Sequence, residues 1–290
     1  MILYEQIPSL LLEYSISSSQ EEALALPRLV LETMGFKTDD ISETFQNKLW
    51  TLKVFTPEKT KIEILKKNFS RLSLPNIKTS SRILKPAQWL TLWKTQWKPL
   101  SLTKTIDVVP YWYKGKYKTS KQVIFLDTLM SFGTGMHETT QLIAQLIEDN
   151  RSHLSSFLDV GTGTGILTLA ALKHGAQRVT AMDISPLSIQ ATRSNLKVNG
   201  LKAKIVLSDI GRLPVKEKYQ MVAANLITDD LLKDRKRIVN LVKPDGLLMV
   251  SGISLDNLSR LKEGFKDQPL ICRKVSRGKE WAAILYVKKT

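Results

Sequence analysis

Residues 157–165 read Phe-Leu-Asp-Val-Gly-Thr-Gly-Thr-Gly, and few folds accommodate such a run. Phe157 to Val160 have the pattern of a buried strand. Ile166 to His174 have that of a helix, with Gly175 where a left-handed C-cap belongs. The glycines between them let the backbone turn sharply and let a ligand approach with no Cβ in its path. The next strand, Arg178 to Met182, ends at Asp183, 22 positions after Gly161. An acidic residue about 20 positions on is placed to accept hydrogen bonds from ribose hydroxyls. Pyrophosphate dinucleotides usually want Gly-x-Gly-x-x-Gly opening into a helix N-terminus. Here Gly161, Gly163 and Gly165 are spaced Gly-x-Gly-x-Gly, with Asp159 two residues earlier. The ligand inferred therefore carries a ribose and no phosphate. The alternative is an ordinary tight turn, against which the flanking strand, helix and Asp183 argue.

The α/β alternation continues downstream. Ser185 is a good N-cap and Pro186 suits the first helical position. Ile189, Thr192 and Leu196 share one helix face, and Gly200 ends the helix. Lys204 to Leu207 is a third strand, ending near Asp209, whose carboxylate is placed to receive the exocyclic amine of adenine. Met221 to Ala224, a fourth, delivers Asn225 to the strand end where ligands of open α/β sheets bind. Leu247 to Ser251 is a fifth. Cys272 to Val275 and Trp281 to Val287, joined through Gly278, read as a closing hairpin. Upstream, Phe132 to Thr140 is a loop feeding a helix, Gln141 to Ile147, where free N–H groups and hydroxyls converge. His137 in that loop is an orienting residue or a general base.

The first part of the chain has a different pattern. Leu10, Leu12, Tyr14 and Ile16 alternate, a helix is expected from about Gln20 to Met34, and Trp50, Leu52 and Val54 alternate again. Ile62, Leu65, Phe69 and Leu72 fall at helical spacing. This order suits a small α+β ferredoxin-like domain over residues 1–84. It has no catalytic cluster, so it reads as a recognition module. A linker helix is expected within 85–103, with Trp89, Trp93 and Trp97 in one stripe between Pro86 and Pro99. Residues 104–290 form the second domain. Lys114 to Lys121 alternate lysines with other residues beside Tyr111, Trp112 and Tyr113. That reads first as an edge strand guarded by lysines and second as a nucleic-acid contact.

Charge separates the two parts. The net charge is +16. Residues 1–84 hold 11 Lys+Arg against 10 Asp+Glu, and residues 85–290 hold 32 against 17. The excess suits RNA contact through the second domain, or a lysine-rich soluble surface. The single cysteine, Cys272, excludes an internal disulfide framework and a Cys-rich metal site; its apolar surroundings place it in the core. No apolar run reaches 18 residues and no signal peptide is evident, so no membrane contact and a cytoplasmic enzyme are expected.

Four stretches together resemble the ribosomal protein L11 methyltransferases. They are Phe132 to Thr140, Leu158 to Leu167, the Asp183-Ile-Ser-Pro segment with Asn195 and Asn199-Gly200, and Ala224-Asn225-Leu226. The tryptophan-bearing linker and Gly278-Lys-Glu-Trp281 are also similar. The resemblance implies a class I (Rossmann-like) methyltransferase domain using S-adenosyl-L-methionine, preceded by a substrate-recognition domain. It implies cofactor contacts at Thr140, Gly161, Gly163, Asp183 and Asn225, with ribosomal protein L11 as substrate. Asn225 would also aim the acceptor amine, a lysine or N-terminal amino group. The chain departs from the family's Thr-His-Pro-Thr-Thr at Met136 and Glu138, and from Asn-Ile-Leu-Ala at Leu226, Ile227 and Thr228. Two other readings use the same motifs: an RNA methyltransferase, and a non-catalytic adenosyl-ligand or RNA-binding module.

Overall fold

A computed structural model describes residues 11–36, 41–56, 58–72, 74–84, 97–127, 135, 137–212 and 217–290. The chain divides into two compact units, residues 1–97 and 98–290. The division falls inside the stretch expected as a linker. Trp89 and Trp93 of the expected stripe lie outside the described residues, while Trp97 is buried.

The first unit runs β1 (Leu11–Ser18), α1 (Ala25–Thr33), β2 (Ile41–Gln46), β3 (Leu49–Thr56), α2 (Lys59–Arg71) and β4 (Lys78–Leu84). Its antiparallel sheet has the order β2-β3-β1-β4. Period-two alternation puts Leu12, Tyr14 and Ile16 of β1 and Leu52 and Val54 of β3 on one face. Helical spacing brings Ile62, Leu65 and Phe69 of α2 onto that face. Pro27 sits in the first turn of α1, where its missing N–H has no intrahelical partner. A 3-10 turn, Glu22–Leu24, replaces the start of the longer helix expected from Gln20.

The second unit opens with a three-stranded sheet of β5 (Leu100–Ser101), β6 (Ile106–Pro110) and β7 (Gln122–Leu126). Then follow α3 (Glu138–Asp149), β8 (Ser156–Val160), α4 (Ile166–Lys173), β9 (Arg178–Asp183), α5 (Pro186–Val198) and β10 (Lys204–Leu207). The chain ends with β11 (Tyr219–Asn225), α6 (Thr228–Asn240), β12 (Val242–Ser254), α7 (Leu258–Gly264), β13 (Leu270–Arg277) and β14 (Trp281–Lys288). The seven-stranded sheet has the order β10-β9-β8-β11-β12-β14-β13. Its first five strands are parallel, and β14 is antiparallel to both neighbours. The central strands read as continuous apolar runs because helices cover both faces: all five residues of β8 are buried.

Two expectations are corrected. Lys114 to Lys121 is not an edge strand. A 3-10 turn at Tyr111–Tyr113 leads into tight turns closed by Lys116 N–H to Tyr113 O (2.9 Å) and Tyr117 N–H to Tyr113 O (3.0 Å). The Tyr117 and Thr119 hydroxyls then donate to the buried Asp107 carboxylate, at 3.0 and 2.9 Å. These local bonds outweigh the alternating pattern. Cys272, expected in the core, is exposed. It lies on β13, the outermost strand, where packing comes from one side only. Among the described residues, no helix is long and apolar enough to cross a membrane.

Candidate functional site

The chain builds the sheet outward from β8, first to β9 and β10, then to β11 and β12 on the other side. The point where the order reverses lies between β8 and β11, and ligands of open α/β sheets bind at the carboxyl ends there. Gly161 follows β8 and Asn225 ends β11, so both stand at that point.

The turn after β8 is held by backbone bonds from Gly161 and Thr162 N–H to Met182 O, both 2.9 Å. Gly161 has φ +73°, and a Cβ there would come within 2.5 Å of Leu226 Cδ2. Glycine is needed for conformation and for the close approach of β11's end. Asp183, at the end of β9, accepts from Gly163 N–H (3.0 Å) on Oδ2 and from Ser185 N–H (2.9 Å) on Oδ1. Each oxygen keeps a lone pair for a further donor. Ser185 caps α5, accepting from Ser188 N–H, and Pro186 opens it.

Asp159 lies beneath this turn and is fully enclosed. Its Oδ2 accepts from Thr162 Oγ1 (2.8 Å), Thr168 N–H (3.1 Å) and Thr168 Oγ1 (2.7 Å), while Oδ1 has no partner. Burial pushes its pKa up to about 6, against the opposing hydrogen bonds from Thr168 and Thr162. A buried acceptor with no protein donor is rare in folded proteins and calls for a donor from a water or a ligand.

From the other side, α3 brings Thr140 to Asn225. Asn225 Nδ2 donates to Thr140 Oγ1 at 3.5 Å, joining residues 85 positions apart. His137 is the N-cap of α3, its Nδ1 2.7 Å from Thr139 Oγ1 and accepting from Thr139 N–H. Its ring packs edge-on against Trp281, centroids 5.0 Å apart. Glu138 accepts from Lys279 N–H (2.6 Å), Glu280 N–H (3.0 Å) and Trp281 N–H (3.0 Å), the turn between β13 and β14. A Cβ at Gly278 would overlap the Glu138 carboxylate. Partial burial raises the Glu138 pKa, but the three N–H donors outweigh it and hold the carboxyl below its usual range. Asp209 stands apart from this cluster. Its exposed Oδ1 accepts from Gly211 N–H (2.6 Å) and lies 3.9 Å from Arg237.

Three contributors carry no role in the sequence reading. Asp159 enters there only as a marker of spacing, because burial at a strand end is a tertiary fact. Glu138 enters as a departure from a motif; its partners lie about 140 positions away. Asn195 has a detectable signal, a polar residue on the buried face of α5. It donates to Thr164 O (2.9 Å) and Asp127 O (3.2 Å) and accepts from Asp127 N–H (2.8 Å), tying the glycine turn to the end of β7.

Comparison with known proteins bears on this arrangement. The family model described as Ribosomal protein L11 methyltransferase (PrmA) matches residues 11–289. The ribosomal protein L11 methyltransferase of Geobacter metallireducens is 34% identical over 203 residues, covering 70% of this chain and 67% of the relative. That of Pelobacter propionicus is 29% identical over 270 residues, covering 88% and 86%. The crystal structure of ribosomal protein L11 methylase from Lactobacillus delbrueckii subsp. bulgaricus is 29% identical, with a TM-score of 0.62, covering 67% of this chain and all of that one. A match that runs through both units, and includes the glycine turn and Asn225, means that the chain belongs to the ribosomal protein L11 methyltransferase family.

Proposed function

We propose that the chain is an S-adenosylmethionine-dependent protein N-methyltransferase acting on lysine and/or N-terminal amino groups of ribosomal protein L11. Family membership supports the activity and the substrate. The observation that carries the site is the meeting of Thr140 and Asn225 at the switch point beside the glycine turn.

The residues present fit the cofactor. The orphaned, buried Oδ1 of Asp159 suits a donor such as an α-ammonium group. Gly161 lets the turn close against Leu226 at the end of β11, bringing the two strand ends together. Asp183 would hold the ribose hydroxyls, Asp209 the exocyclic amine of adenine, and Gly161, Gly163 and Thr140 the body of the ligand. Bound there, the cofactor supplies an electrophilic methyl group on a sulfonium.

The acceptor must present a neutral nitrogen. A free lysine has a pKa of about 10.4 and an α-amine about 7.7–8.0. Exclusion of water disfavours the ammonium and lowers that value. Asn225 accepts a remaining N–H and aims the lone pair. Little new charge develops, so alignment is the main contribution. His137 uses Nδ1 on the N-cap and serves as an orienting residue.

The first unit fits substrate recognition, with residues 85–103 as the connector and 104–290 as the catalytic domain. Its β-α-β-β-α-β order and β2-β3-β1-β4 sheet support a ferredoxin-like reading. Incubation with methyl-labelled S-adenosylmethionine, purified ribosomal protein L11 and ribosomal RNA tests the function. Label should enter the protein; label in RNA alone, or none, overturns it. Asn225→Ala should bind cofactor within a few-fold of wild type and lower the single-turnover rate by at least tenfold; a normal rate removes Asn225 from catalysis.

A further inference from the structure

Residues 108–126 and 184–208 contain no Asp or Glu, and each stretch holds four Lys or Arg. The fold brings them together. Lys114 Nζ donates to Val198 O at the end of α5 (2.7 Å) and stands over the Phe125 ring. Asn199, the C-cap of α5, exchanges hydrogen bonds with Phe125 N–H (2.9 Å) and Phe125 O (2.6 Å). Two of the eight cations have acidic partners: Lys121 with Asp107 and Lys204 with Glu217. The other six, Lys114, Lys116, Lys118, Arg193, Lys197 and Lys202, are exposed and have no ion pair among the described residues.

Between the second half of α5 and β10 lies a groove of about 490 Å³. Leu196, Leu201 and Ile205 give it apolar walls, and Arg193, Lys197 and Lys202 form its cationic rim. The half-buried rings of Tyr111, Trp112 and Tyr113 directly precede the lysine-bearing turn, Trp112 edge-on to Tyr111 at 5.4 Å. Uncompensated positive charge calls for a polyanion. An apolar groove, and aromatic rings next to the lysine turn that reaches the end of α5, call for flat, stackable groups between the charges, which RNA has and an acidic peptide lacks.

We infer that this face of the second unit is a docking surface for single-stranded or looped RNA, separate from the methyl-transfer site. The two lie on different faces of α5. Thr192 and Asn195 donate to Gly163 O (3.0 Å) and Thr164 O (2.9 Å), while Arg193, Leu196 and Lys197 line the groove. RNA held in the groove therefore meets a different face of α5 from the one that packs on the glycine turn. RNA docked there lies outside the methyl-transfer site and stays unmodified.

The test uses the full chain and a fluorescently labelled 20-nucleotide RNA with a central loop, followed by anisotropy. Neutralising about four to six phosphates gives a log-affinity against log-salt slope of roughly −3 to −4. Arg193→Glu, Lys197→Glu and Lys202→Glu combined should weaken RNA binding at least tenfold and reduce the slope to roughly −1 to −2. Calorimetric affinity for S-adenosylmethionine should remain within twofold, which also reports an intact fold. If the triple variant does not fold, Lys197→Gln with Lys202→Gln should still lose at least threefold. The RNA should take up no label from methyl-labelled S-adenosylmethionine. Unchanged RNA affinity in a folded variant overturns the surface. So does binding of poly-glutamate as tight as RNA, which makes the partner an acidic protein. Label in the RNA overturns the separation of docking from transfer.

Discussion

Two buried carboxylates in the second unit, Glu148 at the end of α3 and Asp159 at the end of β8, gather threonine hydroxyls in the same way and end in opposite states. Glu148 is served on both oxygens. Thr103 Oγ1 (2.9 Å), Thr105 N–H (3.0 Å) and the Thr105 hydroxyl reach Oε1, while Lys104 N–H (3.2 Å) and Gln145 Nε2 (3.0 Å) reach Oε2. Burial raises its pKa, but these donors outweigh it and hold it at about 2. Asp159 has three donors, all on one oxygen, and burial leaves it at about 6. A fully satisfied carboxylate rigidifies a fold; a half-satisfied one leaves an acceptor for something else. The first belongs to the scaffold; in the proposed function the second belongs to the site.

The largest expected effect comes from breaking the satisfied one. Glu148→Ala strands the donors of Thr103 and Thr105 and should destabilise the protein by about 3 kcal/mol. For a unit of this size that lowers Tm by roughly 6–12 °C. Affinity for S-adenosylmethionine should stay within a few-fold at temperatures where the variant is folded. The Glu148 pKa lies below its unfolded value, so its contribution is present above about pH 4.5 and is lost as pH falls toward 2. An acid titration in which wild type and variant run parallel would separate Glu148 from the acid stability of the fold.

Asp183→Ala acts on the site. Hydrogen bonds to a charged group contribute about 1.5–3 kcal/mol, so cofactor affinity should fall roughly 10–100-fold. Part of that loss arises through Gly163, whose N–H rests on Asp183. Unchanged affinity by calorimetry would remove Asp183 from the cofactor site.

Asp159→Asn should weaken cofactor binding by roughly tenfold, one charge-assisted bond, and leave stability at pH 7 within about 1 kcal/mol. The sign of its pH dependence is opposite to that of Glu148. The folded pKa is raised, so the stabilisation is complete below about pH 4 and is lost as pH rises through about 6. A cationic donor on Oδ1 favours the ionised form, so wild-type affinity should weaken below pH 6 while the Asn variant stays flat. Two parallel affinity profiles would make Asp159 a second scaffold carboxylate and collapse the contrast. The smallest effect is expected from Glu138→Ala, about threefold in cofactor affinity, because its partly exposed bonds act on Thr140 only through the start of α3; a tenfold loss would give the β13–β14 turn a direct part in binding.

Much of this architecture is local in origin and therefore legible. The strand, glycine turn, helix and Asp183 are fixed by short-range rules. The alternation of Leu12, Tyr14 and Ile16 gives the face of β1, and Ser185-Pro186 starts α5. The edge-strand reading of Lys114 to Lys121 fails because an alternating pattern over eight residues has no way to register the pull of Asp107, whose carboxylate accepts from Tyr117 and Thr119. Cys272 was misread because the same apolar run is core in a central strand and surface in the outermost one.

The sequence by itself determined which residues are equipped for the site: Gly161 for its freedom, Asp183 for its spacing, Asn225 for its place at a strand end. It also determined where the charge lies along the chain. Tertiary structure alone decided which of these groups meet. It set Thr140 against Asn225, placed Glu138 under the turn at Gly278, and left one oxygen of Asp159 without a partner while both oxygens of Glu148 found theirs. The reason is physical. Conformational preference and periodicity are properties of neighbours in the chain. Hydrogen-bond satisfaction and desolvation depend on groups brought together from distant positions, and these two quantities separate a carboxylate served on both oxygens from one served on a single oxygen.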